Sequence, residues 1–199
     1  MCRTFVVLIL VLLTQLSCVH TAADEFVESD SSQKLDTDKL DSVIFEVQTV
    51  LISNLSNLIE TKGIEEAAFF CANKAQFLTD SMSRQLGVAV KRISDRHRNP
   101  LNATGVYELE VMEEFKQSKA SGSMSLYQVD YTNKNYYKPI VLGMPLCLKC
   151  HGNSTDRDES AYEVIRSKYP EDLAIDYSLG DLRGMWVVNF ESEQFSNGR

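Results

Sequence analysis

Basic residues are in the minority in this chain. It has 20 Lys and Arg against 28 Asp and Glu, a formal net charge of -8. That balance excludes the electrostatic footprint of a nucleic-acid binder. The acidic residues are spread along the chain with no long block, so they speak for solubility and little else. Long hydrophobic runs are also missing: beyond the N-terminal segment no apolar stretch reaches the roughly 20 residues of a membrane-spanning helix. There are no internal repeats and no low-complexity tract, and only three histidines. What is there is 199 residues, 44% hydrophobic and 24% charged. This is material for one ordinary packed domain plus a targeting segment.

The N-terminus, "MCRTFVVLILVLLTQLSCVHTAADEF", has a positive start at Arg3 and an unbroken apolar run from Phe5 to Leu13. That run is too short to cross a bilayer and has the form of a secretory signal over residues 1–23. Cleavage after Thr21-Ala22-Ala23 would release a soluble protein. Cleavage before Cys18 would leave a lipid-modified cysteine, although Gln15 suits that signal poorly. Export to the periplasm or its bounding membrane surface is expected in both cases, with membrane attachment only through a lipid on Cys18. Cys2 leaves with the signal and Cys18 leaves with it or becomes the anchor, so Cys71, Cys147 and Cys150 remain as thiols of the mature chain. An odd thiol in an oxidising compartment calls for an explanation.

Residues 24–37, "DEFVESDSSQKLDT", read as a flexible acidic tether. From Asp38 onward Leu40, Val43, Ile44, Val47, Val50, Leu51, Leu55, Leu58 and Ile59 recur at helical spacing, and Gly63 stops the helix. A second helix is expected over about Ile64–Met82. The later chain is strand-rich: "GVAVKRIS" (87–94), "SLYQVDYT" (125–132), "YYKPIVLG" (136–143) and "GDLRGMWVVNFES" (180–192). Pro139 favours an edge or a strand end. "SAYEVIRSKYP" (160–170) reads as a short helix. Helices first and strands later imply an α+β domain over residues 38–199 with an antiparallel sheet.

The densest chemistry lies in "MPLCLKCHGN". C-L-K-C-H is the attachment pattern of c-type haem, in which each thiol adds to one vinyl group and the adjacent histidine ligates the iron. Export agrees with it. A zinc site would want four ligands at matched spacing, and no second C-x-x-C exists. A thioredoxin-like dithiol would need a βαβ unit, which the pattern around Cys147 does not offer. A plain disulfide leaves His151 as coincidence.

A haem held by Cys147, Cys150 and His151 needs a second axial ligand. The candidates are Cys71, His97 and the methionines. Cys71 stands in the second helix with Ala67 and Ala68 one turn before it and Ala75 one turn after. Small neighbours would let a flat ring approach the backbone, but an inert buried cysteine fits the same pattern. His97, in "RISDRHRNP", reads as a solvated loop residue. Arginines suit propionate carboxylates, so a contact is expected from among Arg92, Arg98 and Arg183. The sequons at Asn54, Asn102 and Asn153 read as chance matches.

Four runs occur in one order: "EEAAFFCANKA", "VKRISDRHRNPLNATGVYE", "YYKPIVLGMPLCLKCHG" and "IRSKYPEDLAIDYSLGDLRGMWVV". Together they resemble the family of exported c-type haem proteins with a PAS-like fold, over roughly residues 38–192. The resemblance implies one covalently bound haem c, with His151 and Cys71 as axial ligands. It also implies a five-stranded antiparallel sheet carrying a long N-terminal helix and further packed helices. The chain departs from the family pattern at His97, and at Tyr107, where a tryptophan is usual.

Two functions then compete. A thiolate-ligated, six-coordinate haem has a low potential and no open site, which suits electron transfer and not an enzyme. Alternatively, a displaceable thiolate would make a redox or gas sensor, by fold-level analogy. Such a sensor would need a separate signalling partner, because no output domain follows. A peroxidase-like enzyme would need an open distal side, which Cys71 would occupy.

Overall fold

The first helix begins where Asp36 accepts a hydrogen bond from the Lys39 backbone N–H at 3.1 Å, an N-cap. In the computed structural model, which describes residues 35–191 and Phe195, this helix, α1, spans Thr37–Lys62. The signal segment, Cys18 and all but the last residues of the tether lie outside the described residues. Gly63, at φ 90°, ends α1 as expected. By length and composition alone α1 could cross a membrane, a property its sequence pattern had not suggested. Its stripe of Leu40, Ile44, Val47 and Leu51 is nonetheless buried in the core of the domain.

The single helix expected over Ile64–Met82 is two, α2 (Ile64–Asn73) and α3 (Ala75–Leu86). They break at Lys74, whose φ of -120° leaves the helical range. Gly87 adopts the left-handed conformation that closes α3, at φ 66°. Next come β1 (Val90–Ile93), a 3₁₀ turn (Pro100–Asn102) and α4 (Val106–Ala120). The chain ends with β2 (Gln128–Asp130), β3 (Asn135–Val141), α5 (Pro145–His151), α6 (Glu159–Lys168) and β4 (Leu182–Asn189).

The strands form one antiparallel sheet in the order β1-β4-β3-β2. The architecture is mixed, with helices packed on a sheet, as the sequence implied. Four strands pair among the described residues, not the five that the resemblance implied. Beyond them Ser94 and Ala103 make only an isolated bridge. Pro139 lies in an inner strand, but β2 pairs only residues 135–137, so the proline falls where β3 has one neighbour.

The alternation along β3 and β4 separates two cores. Tyr136, Trp186 and Val188 face α1. Tyr137, Met185 and Val187 face Val111, Met112 and Phe115 of α4. α4 escapes a periodicity reading because Val106, Tyr107 and Leu109 on the same helix are exposed. Two satellite clusters hold the cysteine motif. Cys150 packs with Ala68 of α2 and with Ala161 and Ile165 of α6. Cys147 packs with Leu142, Ala174 and Tyr177.

Candidate functional site

The motif is the short helix α5. Pro145 sits in its first turn, where a missing N–H costs nothing, and His151 is its last residue. Spacing of three puts Cys147 and Cys150 on the same face. Gly152 follows because nothing larger fits: a Cβ there would lie 2.7 Å from the Leu148 carbonyl and 2.7 Å from Asp156. All strand pairs are antiparallel, so no βαβ unit surrounds the motif and a thioredoxin-like dithiol has no frame. No three His, Cys, Asp or Glu side chains are grouped to hold a metal ion among the described residues, which leaves the zinc reading without a ligand set.

A cavity of about 290 Å³ gathers the Cys–His motif, Cys71 and the three arginines: Cys71, Arg92, Arg98, Cys147, Cys150, His151 and Arg183 all line it. One wall is apolar, from Leu51, Leu55 and Ile59 of α1 and Phe70 of α2. The small Ala67 and Ala75 stand either side of Cys71 on that wall. Exposed Ile52, Met144 and Leu146 form part of the rim, so a ligand larger than the enclosed volume can extend outward. All three cysteines are free thiols.

His151 has a defined tautomer. Its Nδ1 lies 2.8 Å from the Ala174 carbonyl, which can only accept, so Nδ1 carries the proton. Nε2 then keeps its lone pair. Arg98 Nη2 lies 3.4 Å from Nδ1 and the Arg183 Nε–H points at it from 3.4 Å; these contacts would suit a lone pair there, but the 2.8 Å approach of a carbonyl that can only accept outweighs them. Burial, reinforced by these guanidinium charges, holds the imidazole well below its usual pKa. The ring is therefore neutral, the form that ligates metal.

The three arginines differ in their employment. Arg98 pairs with Asp172 at 3.0 Å and donates to the Cys150 carbonyl at 2.7 Å. Arg183 donates to the Arg96 carbonyl at 3.2 Å, and its guanidinium lies 5.5 Å from the Tyr177 ring. Burial lowers its pKa to about 10, which leaves it charged at neutral pH. Arg92 stacks 5.5 Å over Trp186, and its Nε is buried without a hydrogen-bond partner. Neither Arg92 nor Arg183 has a carboxylate partner among the described residues. Two half-buried cations without a carboxylate partner favour an anionic occupant.

Burial pushes the Cys71 thiol up against the pull of Arg92 and Arg98. Burial raises Cys150 to about 11. Both are neutral thiols in the chain as described.

Sequence reasoning missed several contributors. His97 lines the cavity with Asn99 and Asn102 and is not a freely solvated loop residue. Asp172, within "IRSKYPEDLAIDYSLGDLRGMWVV", was given no role, yet its buried carboxylate pairs with Arg98 and also accepts from the Ala174 N–H at 2.9 Å. Tyr169, in the same run, donates to the Ala72 carbonyl at 2.9 Å and ties this loop to the helix of Cys71. The second and fourth runs meet here too. Ser94 donates to the Arg183 carbonyl at 2.8 Å, and a Cβ on Gly184 would lie 2.5 Å from the Ile93 carbonyl.

The family model described as Tll0287-like matches residues 14–190. The chain belongs to the Tll0287-like family. Among solved structures it is similar to the crystal structure of the cyanobacterial haem protein Tll0287, at 24% identity and a TM-score of 0.57. That match covers 77% of this chain and 93% of the other. At such identity the likeness shows a shared fold for this Tll0287-like chain. No match is found among curated proteins.

Proposed function

We propose that this Tll0287-like protein is an exported carrier of one haem c, PAS-like in fold, that transfers electrons at low potential and is not an enzyme. Cys147 and Cys150 would form the thioethers, and His151 and Cys71 would be the axial ligands. The observation that carries this reading is the convergence of a C-x-x-C-H helix, a neutral imidazole and a third thiol on one cavity. The cavity also suits the group electrostatically. Arg92, whose Nε has no hydrogen-bond partner, and Arg183, without a carboxylate partner among the described residues, offer donors to propionates, whereas Arg98 is committed to Asp172 and the motif backbone. Bound haem iron supplies one-electron chemistry, and a thiolate ligand favours its ferric state. Placement in the periplasm, or at the membrane surface through a lipid on Cys18, follows from the signal segment. The redox partner would be a separate protein.

One observation favours a second reading, a redox or gas sensor. Burial favours the neutral thiol of Cys71 over the thiolate, so this ligand is the one disposed to leave the iron. Visible spectra of the full chain made with a haem-c maturation system separate the two. A low-spin reduced form indifferent to CO supports the electron carrier. Ready CO binding on reduction refutes it in favour of the sensor.

A further inference from the structure

His151 is held from both ends by one buried ion pair. Arg98 and Asp172 have side chains only 10% and 1% exposed and meet at 3.0 Å. The guanidinium donates through Nη2 to the Cys150 carbonyl at 2.7 Å, fixing the peptide that leads into His151. The carboxylate accepts the Ala174 N–H at 2.9 Å, and the Ala174 carbonyl takes the His151 Nδ1 proton at 2.8 Å. Thus Arg98 anchors the backbone that carries the ring, and Asp172 anchors the acceptor that orients it. Ala174 is fully buried, so water has no access to compete for that carbonyl. The pair is neutral as a unit, unlike Arg92 and Arg183, so it orients the ring without serving as a counterion.

We infer that Arg98 and Asp172 are positioning residues that fix the tautomer and the plane of His151, so that Nε2 alone faces the cavity. The inference rests on the haem reading for its consequence but not for its test. A ligating imidazole whose other nitrogen is pinned is the usual device for setting ligand direction. Here the pin is a backbone carbonyl, and the ion pair is what keeps it in place.

Nitrogen-15 NMR of His151 in the full chain without haem tests the inference directly. The wild type should show a single Nδ1–H tautomer with a slowly exchanging ring proton. A wild-type His151 protonated at Nε2, or populating both tautomers, overturns the inference with no variant needed. In Arg98→Met/Asp172→Asn, which removes both charges together, the single tautomer should give way to a mixture. An unchanged tautomer and exchange rate in that folded variant would also overturn it. In the haem-loaded chain the same variant should alter the rhombicity of the low-spin EPR signal and shift the midpoint potential, while Arg98→Lys, which keeps the charge, should restore part of the wild-type signal. A chain that never loads haem defeats the proposed function and leaves the NMR test of positioning intact.

Discussion

Replacing Asp172 with alanine leaves a guanidinium in the interior with nothing to neutralise it. The wild-type pair is nearly dry, with side chains 10% and 1% exposed, so solvent screening offers little relief. Breaking a buried pair from one side costs about 3–5 kcal/mol, mostly the penalty of the charge left behind. The variant also strips the Ala174 N–H of its acceptor, at a further cost of about 1 kcal/mol or more for an unmet buried donor. A domain has about 5–15 kcal/mol of total stability, so much of it is at stake. With about 2–4 °C lost per kcal/mol for a chain of this size, the melting temperature should fall by at least about 6 °C. Thermal melting of the full chain followed by circular dichroism measures the shift, and urea unfolding measures the free-energy loss. Adding Arg98→Met should recover most of the loss, because removing both charges is often close to neutral. A single-variant cost below about 1 kcal/mol, the level of an exposed pair, would refute the reasoning.

Three further outcomes follow from the same physics. Asp158 caps α6 by accepting the Ala161 N–H at 3.0 Å, and this bond holds its carboxyl below the ordinary value. A lowered folded pKa contributes stability above about pH 4 that is lost as pH falls through the folded value. Asp158→Ala should therefore cost about 1 kcal/mol at pH 7 and flatten that acid dependence, as urea titrations across pH would show. Gly184→Ala should destabilise by about 1–3 kcal/mol, because its Cβ would meet the Ile93 carbonyl at 2.5 Å; a melting temperature equal to wild type would contradict this. Arg92→Met should leave the haem-free chain at least as stable as wild type, since it removes a half-buried cation whose Nε has no hydrogen-bond partner. In the loaded chain it should lower the midpoint potential, and a potential that rises or stays fixed would count against Arg92 as a nearby charge.

The elements legible in the sequence were those with a strong local signal. α1 announced itself by Leu40, Ile44, Val47 and Leu51 at helical spacing and by Gly63 at its end. β1, β2 and β4 fell within their β-branched and aromatic runs, and β3 begins one residue before its own. α4 was illegible because exposed Val106, Tyr107 and Leu109 blur the stripe of Val111, Met112 and Phe115. The break at Lys74 was illegible because "CANKAQF" contains neither Gly nor Pro, and only the backbone records it. The motif cysteines and histidine, Cys71 and the three arginines were legible as candidates, and one cavity is lined by all of them. Those that work by reaching across the fold were not: Asp172 meets Arg98, and Tyr169 meets Ala72. A pairing over such separations leaves no local periodicity. The role of Arg98 could be read only as a positive charge near the site, and its hydrogen bonds to Cys150 and Asp172 show where that charge is spent.

The central claim is that Cys147 and Cys150 bind haem covalently in the cavity that Cys71 and His151 share. Acid–acetone extraction of the full chain, made alongside a haem-c maturation system, tests it most directly. The account predicts that colour stays with the wild-type polypeptide and is released, or never acquired, in Cys147→Ala/Cys150→Ala. Haem that extracts freely from the wild type, or a colourless wild type, would contradict it.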